Sequence, residues 1–336
     1  MLKYAERVHE RLDIYRVKVP LPGSPLKYLN SYMIPCNDTI LVVDVGLNTS
    51  QSERLLRNAL YELFSKAFGV TFLITHLHAD HCGLLERIST ANDRILVSRE
   101  DSPFVAATLD WSGFWEKSKE FARSYGFPPD RLKKAIEHHP GYLFGLKQKP
   151  KGRFEMVEDG YCIECGAMCF QVMKTPGHTP GHICLYDKVN GILISGDHVL
   201  FDITPNIAAG YENMNPLGDY LKSLSRVENL HTTLVLPGHR RLFDNLKERV
   251  GQLKRHHEER LNEALGIVKR FGPVDAYTVA SHMSWDIESE SFDQFPITQQ
   301  WFAHCEAIAH LLYLRDVGRL ITRQREDGVI LFEIST

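Results

Sequence analysis

Within six residues, His76-Leu77-His78-Ala79-Asp80-His81 offers four side chains able to ligate a metal ion. Imidazole nitrogens with a carboxylate oxygen form a borderline-to-hard donor set, suited to zinc, iron or manganese rather than to a thiolate-selective ion. A polar loop that merely happened to be rich in histidine would gain nothing from this bunching, because imidazoles so close together repel once protonated. A metal is the expected reason for the cluster. The run follows Val70-Thr71-Phe72-Leu73-Ile74, uncharged, β-branched and aromatic, which reads as a short buried strand. The chain turns after it, so His76 and His78 can face one way while Asp80 and His81 come from the next turn.

One run holds too few ligands for two ions, and three further apolar runs end in similar residues. Phe170-Gln171-Val172-Met173-Lys174 leads into Thr175-Pro176-Gly177-His178-Thr179-Pro180-Gly181-His182. Gly191-Ile192-Leu193-Ile194-Ser195 leads into Gly196-Asp197-His198, and Thr233-Leu234-Val235-Leu236 into Pro237-Gly238-His239. Each reads as a strand, then a glycine or proline turn that aims the next side chain. Four strand ends converging on one sheet edge make a site, where any one alone would be weak.

These motifs, in this order, resemble the metallo-β-lactamase-fold hydrolase superfamily, nearest its glyoxalase II-like branch, over roughly residues 12 to 245. The resemblance implies an α/β fold, an αββα sandwich of two mixed β-sheets flanked by helices. It also implies a dinuclear centre of two divalent ions, zinc first and iron or manganese as alternatives. His76, His78 and His178 would hold one ion, Asp80, His81 and His239 the other, and Asp197 would bridge them. A hydroxide on such ions is a nucleophile at neutral pH, and Asp80 would both ligate and accept its hydrogen bond, the one catalytic role assigned to a side chain. Leu41-Val42-Val43-Asp44-Val45-Gly46 matches the family's early strand and aspartate, which makes Asp44 the support that orients a histidine ligand.

Other candidates carry blander expectations. His182 opens the apolar run Ile183-Cys184-Leu185-Tyr186 and reads as a packed, hydrogen-bonded histidine, while His198 sits beside the pocket without ligating. His138, His139, His256, His257, His282, His304 and His310 have no ligand-like context and read as surface or helix positions. Cys162-Ile163-Glu164-Cys165 and Cys169 lack a second Cys-x-x-Cys to complete four ligands, so incidental packing is expected.

The elements that position the site follow from patterning. Residues 12 to 45 alternate in short antiparallel strands with a turn at Pro20 to Pro25. Leu55, Leu56, Leu60, Leu63 and Phe64 give a helix over Ser50 to Phe68, and a short helix is expected from about Cys82 to Ile88. An aromatic insertion from about 101 to 151, mostly helical, breaks at Gly126-Phe127-Pro128-Pro129 and His139-Pro140-Gly141. Its rings near Trp111 to Trp115 are expected to wall the substrate pocket or simply to pack. A boundary near 245 separates a catalytic domain (1–245) from a C-terminal domain (246–336). The latter should contain helices over Leu246 to Arg270, Val274 to Met283 and Ile297 to Leu314, then a hairpin around Asp327-Gly328. This order resembles a winged helix, known on the superfamily branch that includes a mitochondrial endoribonuclease. Its third helix, though, offers only Gln299 and Gln300 for reading a groove. Its apolar residues outnumber a single stripe, so it should be buried or lie at an interface, with a homodimer conceivable.

The 336 residues carry a net charge of −3, which gives a polyanion no bulk attraction. No apolar run of membrane-spanning length occurs, the charged start lacks a signal core, and seven scattered cysteines suggest no disulfide framework. A reduced, cytoplasmic enzyme acting on a small molecule is the expectation, with nucleic acid and membrane disfavoured as partners. Acyl thioesters or related esters are the first substrate class. An endoribonuclease or phosphodiesterase is the alternative, and a single-iron persulfide dioxygenase a lesser one.

Overall fold

The computed structural model describes residues 2–64, 69–210 and 214–335, and the last four residues of the expected helix over Ser50 to Phe68 fall outside them. By contacts the chain divides into two units, one of residues 1–109, 144–205 and 225–250, the other of 110–143, 206–224 and 251–336.

The first unit holds two sheets. One runs, in spatial as in chain order, β1 (Glu6–Arg7), β2 (Tyr15–Pro20), β3 (Tyr28–Cys36), β4 (Thr39–Val43), β5 (Val70–Leu73), β6 (Arg94–Ser98) and β7 (Arg153–Val157). The other comprises β8 (Cys162–Cys165), β9 (Met168–Lys174), β10 (Ile183–Asp187), β11 (Ile192–Gly196) and β12 (Leu234–Pro237), ordered β12-β11-β10-β9-β8. Period-two alternation sorts the first sheet's side chains. Ile40, Val42, Phe72, Ile95 and Val97 face a core shared with α1 (Ser50–Phe64), α2 (Ala79–Cys82), α3 (Leu85–Ile88) and α4 (Ser102–Val105). Leu41, Val43, Leu73 and Leu96 face the other way and meet Phe170, Val172, Ile183, Ile194 and Leu236 of the second sheet. The helix expected from Cys82 to Ile88 is split into α2 and α3 at Gly83. A Cβ there would lie 2.9 Å from the Phe144 carbonyl and would press on the Ala79 carbonyl.

Strand direction decides where the candidate ligands go. β4 to β7 run parallel, so the ends of β4, β5 and β6 share one edge. In the second sheet β11 is parallel to β12, and both β9 and β11 are antiparallel to β10, so β9, β11 and β12 also end together. Open α/β sheets bind ligands outside such strand ends. Here both edges are joined by hydrogen bonds from Ile183 N to Thr75 O (2.9 Å) and from Asn30 N to Gly238 O (2.7 Å).

The second unit contains α5 (Trp111–Ser124), α6 (Pro129–Glu137) and parts of α7 (Pro140–Phe144), α8 (Pro216–Val227) and α9 (Leu246–Phe271). It is completed by α10 (Ala276–His282), α11 (Ile297–Asp316) and the hairpin β13 (Leu320–Gln324) and β14 (Ile330–Ile334). The three helices and the hairpin follow the expected order, and Val274 adds an antiparallel bridge to Phe332. Twelve of the twenty residues of α11 are buried, on more than one stripe, which marks it as an interior helix. The division departs from the boundary at 245. Residues 110–143 belong with the C-terminal helices because Phe121 and Tyr125 join the core of Val279, Leu311 and Phe332. Phe127 likewise packs on Tyr277 and Trp301, at ring separations of 5.4 and 5.5 Å. Trp111, Phe114 and Trp115 pack on one another, and Trp115 also meets His139 and Tyr142.

The cysteines correct an expectation. Cys36 and Cys165 form a disulfide between β3 and β8, across the two sheets, and Cys162 pairs with Cys169 across the β8–β9 hairpin. Incidental, reduced packing therefore describes only Cys82, Cys184 and Cys305, which are free and buried. A pairing over 129 residues of chain leaves no trace in local spacing. Phe170, wholly buried between the sheets, offers a test of the sandwich. Phe170→Ala should lower unfolding stability by about 3–5 kcal/mol, read as an earlier urea midpoint with unchanged slope.

Candidate metal centre

Three imidazole nitrogens meet at the first sheet's edge. His76 Nε2 and His178 Nε2 each lie 3.0 Å from His78 Nδ1. The tautomer of His76 follows from its neighbour. Thr75 Oγ1 donates to Asp44 Oδ2 (2.8 Å) and so accepts from His76 Nδ1 at 3.0 Å, which leaves the His76 Nε2 lone pair aimed at the trio. His78 and His178 come from different strand ends, after β5 and after β9.

A second trio lies beside it. His81 Nε2 is 3.2 Å from His239 Nε2, which is 3.3 Å from Asp80 Oδ2. His81 gives its Nδ1 proton to Asp44 Oδ2 at 2.7 Å, and His239 Nδ1 donates to the Tyr28 carbonyl at 3.0 Å, so both rings turn Nε2 inward. Asp197 stands between the trios. Its Oδ2 lies 3.4 Å from His239 Nε2, 3.5 Å from His81 Nε2 and 3.6 Å from His178 Nε2. Its other oxygen, Oδ1, is buried with no hydrogen-bond partner among the described residues. The groups His76/His78/His178, His76/His81/Asp197 and Asp80/His81/His239 each bring their donor atoms within 4.8 Å of one another, a spacing that could hold a metal ion. Ring nitrogens 3.0–3.2 Å apart, with a carboxylate oxygen among them that has no hydrogen-bond partner among the described residues, fit a bound cation.

Charge points the same way. Burial first, then the neighbouring imidazoles, holds His76 far below its ordinary pKa, and burial with His178 pushes His78 down to about 3, so both stay neutral as ligands must. At the second trio burial opposes protonation, but the Asp197 carboxylate outweighs it. With Asp44 it holds His81 well above the ordinary value, and with Asp80 it raises His239 to about 10. Burial alone would raise the Asp80 and Asp197 carboxyls, yet the facing imidazoles hold both down. This corner attracts positive charge.

Outer contacts fix several of these side chains. Asp44, at a φ of 59° that aspartate tolerates, accepts from Thr75 N and Oγ1 and from His81. Asn30 Nδ2 donates to the Pro237 and Arg240 carbonyls, and Tyr32 OH donates to Pro237 O, which pins the turn carrying His239. His182 is packed and hydrogen-bonded as expected. Its Nε2 accepts from Asp197 N at 3.1 Å and its Nδ1 bonds Thr175 Oγ1 at 2.8 Å. His198 is buried with its ring 6.0 Å from that of His182. His257, His304 and His310 are helix positions, all buried. Asp101 was not singled out in the sequence. It accepts three hydrogen bonds from the loops that carry His76, His78 and His178. Burial pushes its carboxyl up to about 7 against those bonds. In Asp101-Ser102-Pro103 it reads simply as a helix cap.

The metallo-beta-lactamase superfamily model matches residues 27–239. The chain belongs to that superfamily. It is 26% identical to the probable metallo-hydrolase YqjP of Bacillus subtilis (strain 168), over 78% of this chain and 86% of that protein. It is 28% identical to the acyl-coenzyme A thioesterase MBLAC2 of Gallus gallus, over 64% of this chain and 73% of the other. The crystal structure of a beta-lactamase domain protein from Burkholderia ambifaria superposes with a TM-score of 0.80 at 26% identity, covering 98% of this chain and 94% of that one. As a member of the superfamily the chain is a metallo-hydrolase.

The support given by Asp44 can be isolated. Asp44→Asn keeps an acceptor for Thr75 but places an amide N–H against the His81 Nδ1 proton. Metal affinity should fall about 10–100-fold in a chelator competition, with the circular dichroism spectrum unchanged.

Proposed function

We propose that the chain hydrolyses small-molecule acyl thioesters at a two-metal centre, zinc being the ion that the donor set suits best. The observation that carries the two-ion reading is Asp197 Oδ2, within 3.4–3.6 Å of nitrogens in both trios. His76, His78 and His178 would hold one ion, Asp80, His81 and His239 the second, with Asp197 in reach of both. Such a pair supplies a nucleophile derived from water at neutral pH and a Lewis acid for the carbonyl oxygen.

The rest falls to side chains. The Asp80 side chain keeps 25% exposure where His81 and His239 have none, so it is the second-trio residue that an entering water can reach. Its carboxylate, held ionised by His239 and His81 against burial, accepts that water's hydrogen bond and orients it. Asp44, Thr75 and Tyr28 take the outward protons of His81, His76 and His239, which keeps the inward nitrogens free to ligate. The thioester class is supported by similarity to the Gallus gallus thioesterase. A net charge of −3 gives RNA no general attraction.

Protein purified without chelator should contain two transition-metal ions per chain and cleave acyl-coenzyme A thioesters. His76→Ala should abolish turnover while preserving the fold. Turnover of phosphodiester or single-stranded RNA substrates, with thioesters untouched, would overturn the assignment of substrate class. Absence of bound metal would overturn the centre itself.

A further inference from the structure

Asp101 stands just beyond β6, at the N-cap position of α4, yet its side chain makes no cap hydrogen bond to that helix. An aspartate there ordinarily accepts from the backbone of the first turn. This one is wholly buried and turns to the ligand loops instead. Oδ2 accepts from Leu77 N at 2.8 Å and from Thr179 Oγ1 at 2.9 Å, while Oδ1 accepts from Gly181 N at 2.9 Å. Leu77 separates His76 from His78, and Thr179 follows His178. A single carboxylate thus bonds both loops that deliver the first trio.

The fit is close. A methyl group on Gly181 would come within 2.5 Å of Asp101 Oδ1 and would also collide with Ser98 Oγ. Among the described residues no cation pairs with Asp101, so the carboxylate is buried on the strength of these three donors alone. That is costly for a mere staple, but it suits a device that must hold two loops in one register.

We propose that Asp101 is a positioning residue for the first metal trio, tying the His76–His78 loop to the His178 loop so that three imidazoles arrive preorganised. The proposal rests on the two-metal reading above. All three partners are donors, so only an acceptor on both oxygens satisfies them. In Asp101→Asn one oxygen becomes an NH2 facing a donor, and at least one bond to a loop is lost. Thr179→Val keeps the shape of Thr179 and deletes one donor, while Thr179→Ser keeps the donor.

The test is competition between a chromophoric chelator and full-length protein for Zn2+, with Co2+ substitution to report ligand geometry. Wild type should bind two ions. Asp101→Asn should lose about 10–100-fold in affinity at one site, with the other changed less than about twofold, and its Co2+ absorption should change at that site only. If Asp101→Asn does not fold, Thr179→Val should weaken one site by about tenfold and Thr179→Ser should restore it. The proposal is overturned if these variants melt earlier while both Zn2+ affinities and the Co2+ spectrum stay as in wild type. A wild-type protein that binds no Zn2+ would overturn the metal reading, and this proposal with it. Two ions bound equally tightly by wild type and variants would overturn the clamp alone.

Discussion

The crowding of imidazole nitrogens and carboxylates at one corner is the constraint on which the rest of the first unit depends. Five inward imidazole nitrogens and two carboxylates share one corner, where only the opposed charges of the Asp80 and Asp197 carboxylates and the His81 and His239 rings, or a cation, can offset the crowding. Several of these side chains and their loops are held from behind. His81 leans on Asp44, His76 on Thr75, and His239 on the Tyr28 carbonyl. The Asp197 peptide is held by His182, and two ligand loops by Asp101. The sheets serve the same end, since parallel order in one and the β9/β11/β12 alignment in the other bring every strand end that carries a candidate ligand to one edge.

Much of this was legible because the chemistry is local. His76, His78, Asp80 and His81 fall within one turn of chain, and the other candidate ligands each follow an apolar run closed by glycine or proline. A strand's end and a turn's geometry are written in adjacent residues. The breaks at Gly126 to Pro129 and at His139 to Gly141 were equally plain, as were the three C-terminal helices and the turn at Asp327-Gly328. The structure places each of these where the local signals did.

What stayed hidden depends on pairs far apart in the chain. Asp101 looks like a cap because Ser102 and Pro103 follow it, and its true partners lie 24 and about 80 residues away. Cys36 and Cys165 meet only once β3 and β8 are stacked. The membership of residues 110–143 could not be read either. Phe121, Tyr125 and Phe127 mark a core position without saying whose core it is, and Tyr277, Trp301 and Phe332 answer only in three dimensions.

That second unit is assembled from three stretches interleaved with the ligand-bearing ones, which matters for synthesis on the ribosome. His239 emerges before α11 and the terminal hairpin exist, so every candidate metal ligand is available while α5 and α6 still lack the partners that bury Phe121, Tyr125 and Phe127. Until the last hundred or so residues are released, a nascent chain carries a ring-rich segment with nowhere to pack, the kind of exposed apolar surface that invites aggregation. The order of translation therefore makes the C-terminal residues the closing step for a core begun much earlier. An early stop codon near the end of the message would harm a segment more than 150 residues upstream of it.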